Sequence, residues 1–111
     1  GTAVDFVVSM GAEPAQEVKP TTYKINLNIK KPNNESGAAA NIYLYDGADG
    51  TGNILEQWTN QSISLFGEEG LSISKSGMLA SSGSLKIDWL GADGQQLGSS
   101  QIVSPISFKA E

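Results

Sequence analysis

The chain has 111 residues, 39% of them hydrophobic, and no cysteine, which suits one domain with one core and excludes disulfides, thiol catalysis and zinc–thiolate sites. Its seven basic residues are all lysine against twelve acids, a net charge of −5, so polyanions are repelled and no arginine fork is available for phosphate or guanine. Histidine is also absent, which removes the imidazole that a Ser-His-Asp relay needs.

Residues 1–111 read as a single domain. Short alternating segments are separated by turn residues every eight to twelve positions or so, the pattern of an all-β sandwich or barrel. The chain opens without the basic and long apolar stretches of a secretory signal, and no apolar run approaches the roughly 20 residues of a membrane helix. No membrane insertion and no nucleic-acid partner are therefore expected.

The first element is residues 1–10, where Val4, Phe6, Val8 and Met10 form an apolar row of period two. Residues 11–21 follow as a polar linker interrupted by Pro14 and Pro20, in which residues 12–18 are too short a stretch to form more than a turn. Two readings of the row stand side by side. It folds back as an ordinary first strand, or it is lent to a neighbouring copy as an assembly strand, for which the linker is long enough.

Residues 22–30 are the clearest strand: Tyr23, Ile25, Leu27 and Ile29 on one face, Lys24, Asn26, Asn28 and Lys30 on the other. Residues 31–37 are a loop. Residues 41–45 place Ile42 and Leu44 opposite Tyr43 and Tyr45. Residues 62–66 and 71–74 carry Ile63, Leu65, Leu71 and Ile73 against serines and are expected as strands. Residues 85–90 put Leu85, Ile87 and Trp89 on a buried face, with Lys86 and Asp88 outward. In the tail, Ile102, Ile106 and Phe108 are in phase but broken by Pro105, which predicts an edge strand or a bulge. The total is seven or eight strands in a two-sheet antiparallel β-sandwich, Ig-like or jelly-roll-like.

The tetrapeptide Gly-Ala-Asp-Gly occurs twice, at 47–50 and 91–94, each time after an aromatic-bearing strand. Asp-Gly suits a hairpin turn because glycine accepts positive φ. The strand–Gly-Ala-Asp-Gly–strand unit resembles hairpins of immunoglobulin-type and carbohydrate-binding sandwiches, over about ten residues, and points to no particular family.

The residues offer little for catalysis. Glu68 and Glu69 are the only adjacent acids and lie in a glycine-flanked turn, where solvated carboxylates are expected. Asp46, Asp49 and Asn53 bring three oxygen side chains into one loop, the ligand type that Ca²⁺ takes, although the spacing is not that of an EF-hand. No other cofactor is indicated. Tyr43 and Tyr45, about 7 Å apart along one strand face, make a flat surface on which a sugar ring can stack, and Trp58 lies among polar residues suited to hydroxyls. The same rings serve equally as cross-strand or subunit contacts. Asn34-Glu35-Ser36 and Asn60-Gln61-Ser62 match the glycosylation sequon, which matters only in a eukaryotic source.

These features lead to a non-enzymatic structural or assembly module, a β-sandwich subunit of a surface filament, adhesin or virus particle. It is expected to be extracellular, at a cell surface or in a virion, with protein partners that include copies of itself. The alternative is a carbohydrate-binding module using Tyr43, Tyr45 and Trp58.

Overall fold

The computed structural model describes residues 20–32 and 37–111. The row Val4, Phe6, Val8 and Met10, nearly all of the linker at 11–21, and the first sequon lie outside the described residues.

Among the described residues seven strands are formed: β1 (Tyr23–Ile29), β2 (Ala39–Tyr45), β3 (Ile54–Ser62), β4 (Leu71–Met78), β5 (Ser82–Leu90), β6 (Gln101–Ser107) and β7 (Lys109–Ala110). They make two antiparallel sheets, one ordered β4-β1-β7 and the other β3-β2-β5-β6, packed as a β-sandwich. The period-two pattern decides which side chains meet between the sheets. Ile25 and Ile29 of β1 and Ile73 and Met78 of β4 face Ala40, Ile42 and Leu44 of β2 and Leu85, Ile87 and Trp89 of β5. Trp89 is buried in the phase of Leu85 and Ile87, and its Nε1–H donates to Gln101 Oε1 at 3.0 Å.

The structure departs from the sequence pattern at three places. Residues 62–66 do not form a strand of their own; Ile63–Leu65 is a single 3-10 turn, with Ser62 Oγ accepting from Ser64 N at 3.4 Å. Serine side chains offer the backbone such local hydrogen bonds, and these compete with a ladder. The apolar residue that this segment buries is Phe66, while Leu65 is exposed.

The second is β3, which the alternation does not reveal. Its pairing with β2 shifts register twice: Asn60 is extra opposite Asn41, and Leu55 is extra opposite the step from Leu44 to Tyr45. Two bulges in nine residues erase a period of two. Asn60 adopts φ 52°, and its N–H donates to Asn41 Oδ1 at 2.6 Å, which fixes the first bulge.

The third concerns the tail. β6 is indeed an edge strand and is indeed bulged, with Ser104 and Pro105 together facing Ser84 of β5. The bulge puts the two isoleucines on opposite faces. Ile102 pairs with outward-facing Lys86, whereas Ile106 pairs with Gly83 and packs against the core. Phe108 then plunges into the core as the chain passes from the four-stranded sheet to β7 in the other. Gly83 is required where this happens, because a side chain there would collide with the Tyr45 carbonyl and the Phe108 ring.

Both Gly-Ala-Asp-Gly segments connect antiparallel neighbours, the first β2 to β3 and the second β5 to β6. Asp49 and Gly50 (φ 56° and 72°) and Gly94 (φ 82°) take left-handed conformations in them.

Candidate functional site

Three regions bear on function: the outer face of the four-stranded sheet, the loop over residues 46–53, and the two long sides where the sheets meet.

On the outer face, Tyr43 and Tyr45 share one side of β2, as their alternation with buried Ile42 and Leu44 requires. Tyr43 stands between Gln57 of β3 and Lys86 of β5, and Tyr45 between Ile54 and Ser84. Both rings are half-buried rather than forming a fully exposed strip. Trp58 is not among them. It pairs with Ile42 and packs against the core, so it lies on the other face of the sheet from the two tyrosines. Two aromatics of the expected trio are brought together, and the third is kept apart.

The loop at 46–53 folds back over part of this face. Ser84 belongs to the outward phase of β5, yet it is fully buried because this loop folds back over it. Its hydroxyl accepts from Gly50 N–H at 2.7 Å and donates to the Gly47 carbonyl at 2.7 Å. Ser104 Oγ accepts from Asp49 N–H at 3.0 Å, a second tie between the loop and the sheet. A side chain at Gly50 would press on Ile102, which shows how closely the turn lies on the strands. Nothing in the sequence distinguishes Ser84 from the many other serines. Its role depends on a loop more than thirty residues away in the chain.

The same geometry gives Asp46 and Asn53 a structural task. Asp46 Oδ1 accepts from the Asn53 N–H at 2.8 Å, and Oδ2 accepts from Asn53 Nδ2 at 3.2 Å, closing the base of the loop. Asp49 lies at its far end, in the turn held by Ser104. Among the described residues, no cluster of three His, Cys, Asp or Glu side chains is placed to hold a metal ion.

The two long sides of the sandwich are bordered by different strands. On one, β3 and β4 are the facing edges. Trp58 and Leu55 pack against the core there, and Glu56 Oε1 meets Lys75 Nζ at 3.8 Å across the gap. On the other side β1 faces β6. The cross-strand contact of β7 covers only Tyr23 and Lys24 of β1. Beyond it lies a largely apolar cleft of about 190 Å³, lined by Ile25, Leu27 and Ile106 together with Lys24 and Lys109. Leu27 is only half-buried, although it shares the inward phase of Ile25 and Ile29. The apolar row of β1 is plain in the sequence, but its place beside an edge is set by strand order and could not be read there.

Glu111 closes one end of the three-stranded sheet. Its backbone N–H donates to the Thr22 carbonyl at 2.9 Å, and its carboxylate accepts from Gly77 N–H at 3.0 Å. A hydrogen bond from the Thr22 side chain, then the one from Gly77, hold this carboxyl below its ordinary value of 4.5, with a smaller contribution from Lys24.

No helix among the described residues is long and apolar enough to cross a membrane. In comparisons with known proteins, no family model, no curated protein and no solved structure matches the chain.

Proposed function

We propose that the chain is a non-enzymatic structural module: a β-sandwich subunit of a surface filament, adhesin or virus particle. It acts outside the cell or in a virion, through contacts with copies of itself or with a neighbouring structural subunit. The observation that supports this reading most is the edge of β1 that β7 does not reach, where half-buried Leu27 and Ile106 line a largely apolar cleft. A sheet edge with apolar surface behind it is a surface for association. Size-exclusion chromatography with light scattering on the full chain tests the proposal. Oligomers that grow with concentration are expected, and Phe6→Asp should reduce them to monomers. A wild-type chain that stays monomeric at high concentration ends this reading.

A carbohydrate-binding module is the second reading, favoured by Tyr43 and Tyr45 sharing the outer face with Gln57 opposite Tyr43. Trp58 has no part in it. A glycan array on which the wild type binds and the Tyr43→Ala/Tyr45→Ala variant does not would support it. No binding by the wild type would remove it.

A further inference from the structure

Edges of β-sheets invite pairing, and sequences normally protect them with bulges, prolines or charge. Most of the edges among the described residues carry such protection. β3 has its two bulges and the left-handed Asn60. β4 takes three steps from Lys75 to Met78 against two on β1, with Gly77 at φ 69°. β6 has Pro105 and its own bulge. Residues 25–29 of β1 are the exception. Ile25, Asn26, Leu27, Asn28 and Ile29 include no proline, glycine or charge, and β7 stops short of them.

The backbone groups concerned can be named. Glu111 N–H bonds the Thr22 carbonyl from the β7 side, and backbone groups in a strand alternate sides with period two. The N–H and C=O of Asn26 and Asn28 therefore face the same way as those of Thr22, away from β4, and the pairing of β7 with β1 ends at Lys24, before it reaches them. Below them lies the apolar cleft of Ile25, Leu27 and Ile106.

We propose that residues 4–10 of this chain are the strand that fills this site, hydrogen-bonding to Asn26 and Asn28 and placing apolar side chains in the cleft. The choice of source rests on the assembly reading above, in which a neighbouring copy supplies the segment. Three features recommend this occupant. Val4, Phe6, Val8 and Met10 repeat every second residue, as do Ile25, Leu27 and Ile29, so one row can lie along the other. The only charge in the segment is Asp5, and the charges lining the cleft are Lys24 and Lys109. The chain between Met10 and β1 can extend to about 40 Å, more than the length of β1, so the segment is able to reach a second molecule.

The absence of native cysteine makes disulfide trapping direct. Leu27→Cys is combined in the full chain with Val4→Cys, Phe6→Cys or Val8→Cys in turn, and Tyr43→Cys replaces Leu27→Cys as the control. After oxidation, at least one Leu27→Cys pair should form covalent multimers while the control pairs do not. A disulfide to Leu27→Cys within single chains would uphold the site and overturn the assembly reading. Oligomers that persist with no trapping at Leu27→Cys, or with equal trapping at the control, would overturn the site and leave assembly standing. Hydrogen exchange guards against misfolded variants. The Asn26 and Asn28 amides should be protected in the wild type and lose that protection in Phe6→Asp, with the Ile87 amide unchanged. Unprotected Asn26 and Asn28 amides in the wild type would overturn the proposal.

Discussion

Phe66 and Trp89 meet in the core with ring centroids 5.4 Å apart and planes inclined at 49°. The pair joins the turn before β4 to the last buried position of β5, in a tilted arrangement favoured by ring quadrupoles. Replacing either ring by alanine should cost roughly 3–5 kcal/mol, a large share of the stability of a domain this size. Trp89→Phe keeps a ring but loses the hydrogen bond to Gln101, and should cost less. Urea denaturation measures all three. A Trp89→Ala variant with an unchanged midpoint would show that the core is not organised around this contact.

Ser84→Ala should release the loop at 46–53 from the sheet. It leaves Gly50 N–H and the Gly47 carbonyl without their partner in a partly buried setting. The expected loss is about 1–3 kcal/mol. The Gly50 amide should exchange faster, while amides at the opposite end of β5 keep their rates. If the Gly50 amide is unaffected, Ser84 is not the anchor.

The Glu111 carboxyl makes the end of the three-stranded sheet sensitive to acid. Its folded value lies below its ordinary value, so the stabilisation is fully present above about pH 4.5. It is lost as pH falls through the folded value, because the unfolded carboxylate takes up its proton first. Glu111→Gln should remove this dependence and leave the Gly77 amide more open to exchange at neutral pH. An NMR titration of Glu111 showing an ordinary or raised value would contradict the assignment.

The Glu56–Lys75 pair is more than one-third exposed on at least one partner, at 42% and 35%. A double-mutant cycle with alanine at both positions should give a coupling below about 1 kcal/mol, diminishing with salt. A larger, salt-independent coupling would mean that the side of the sandwich is drier than its exposure indicates.

How much of this was legible in the sequence depended on whether neighbours in the chain supply the explanation. β1, β2 and β5 are visible because the apolar residues of each recur at every second position, and Leu85 and Ile87 alone imply the core position of Trp89. β3 was hidden by Leu55 and Asn60, the extra residues that break its period. Trp58 looked like a surface residue among Glu56, Gln57 and Thr59, but those bulges turn it inward. Asp46 and Asn53 looked like cation ligands because the sequence does not show that they bond each other. Ser84 and the cleft beside Leu27 depend on segments distant in the chain, which local pattern does not encode.

Tyr23, the first residue of β1, lies beside Ala110 in antiparallel pairing with β7. Tension applied through these two positions would pull adjacent strand ends apart, breaking the bonds of this short ladder one after another as a zipper opens. That is the mechanically weak direction of a sheet, since each bond bears the whole force in turn. Tension carried by a strand lying along residues 25–29 would act as shear, with the ladder's bonds sharing it. The same sandwich would therefore part at low force when pulled through β1 and β7 and resist when pulled through the longer edge. Single-molecule pulling from the two attachment geometries would read this difference as a gap in rupture force.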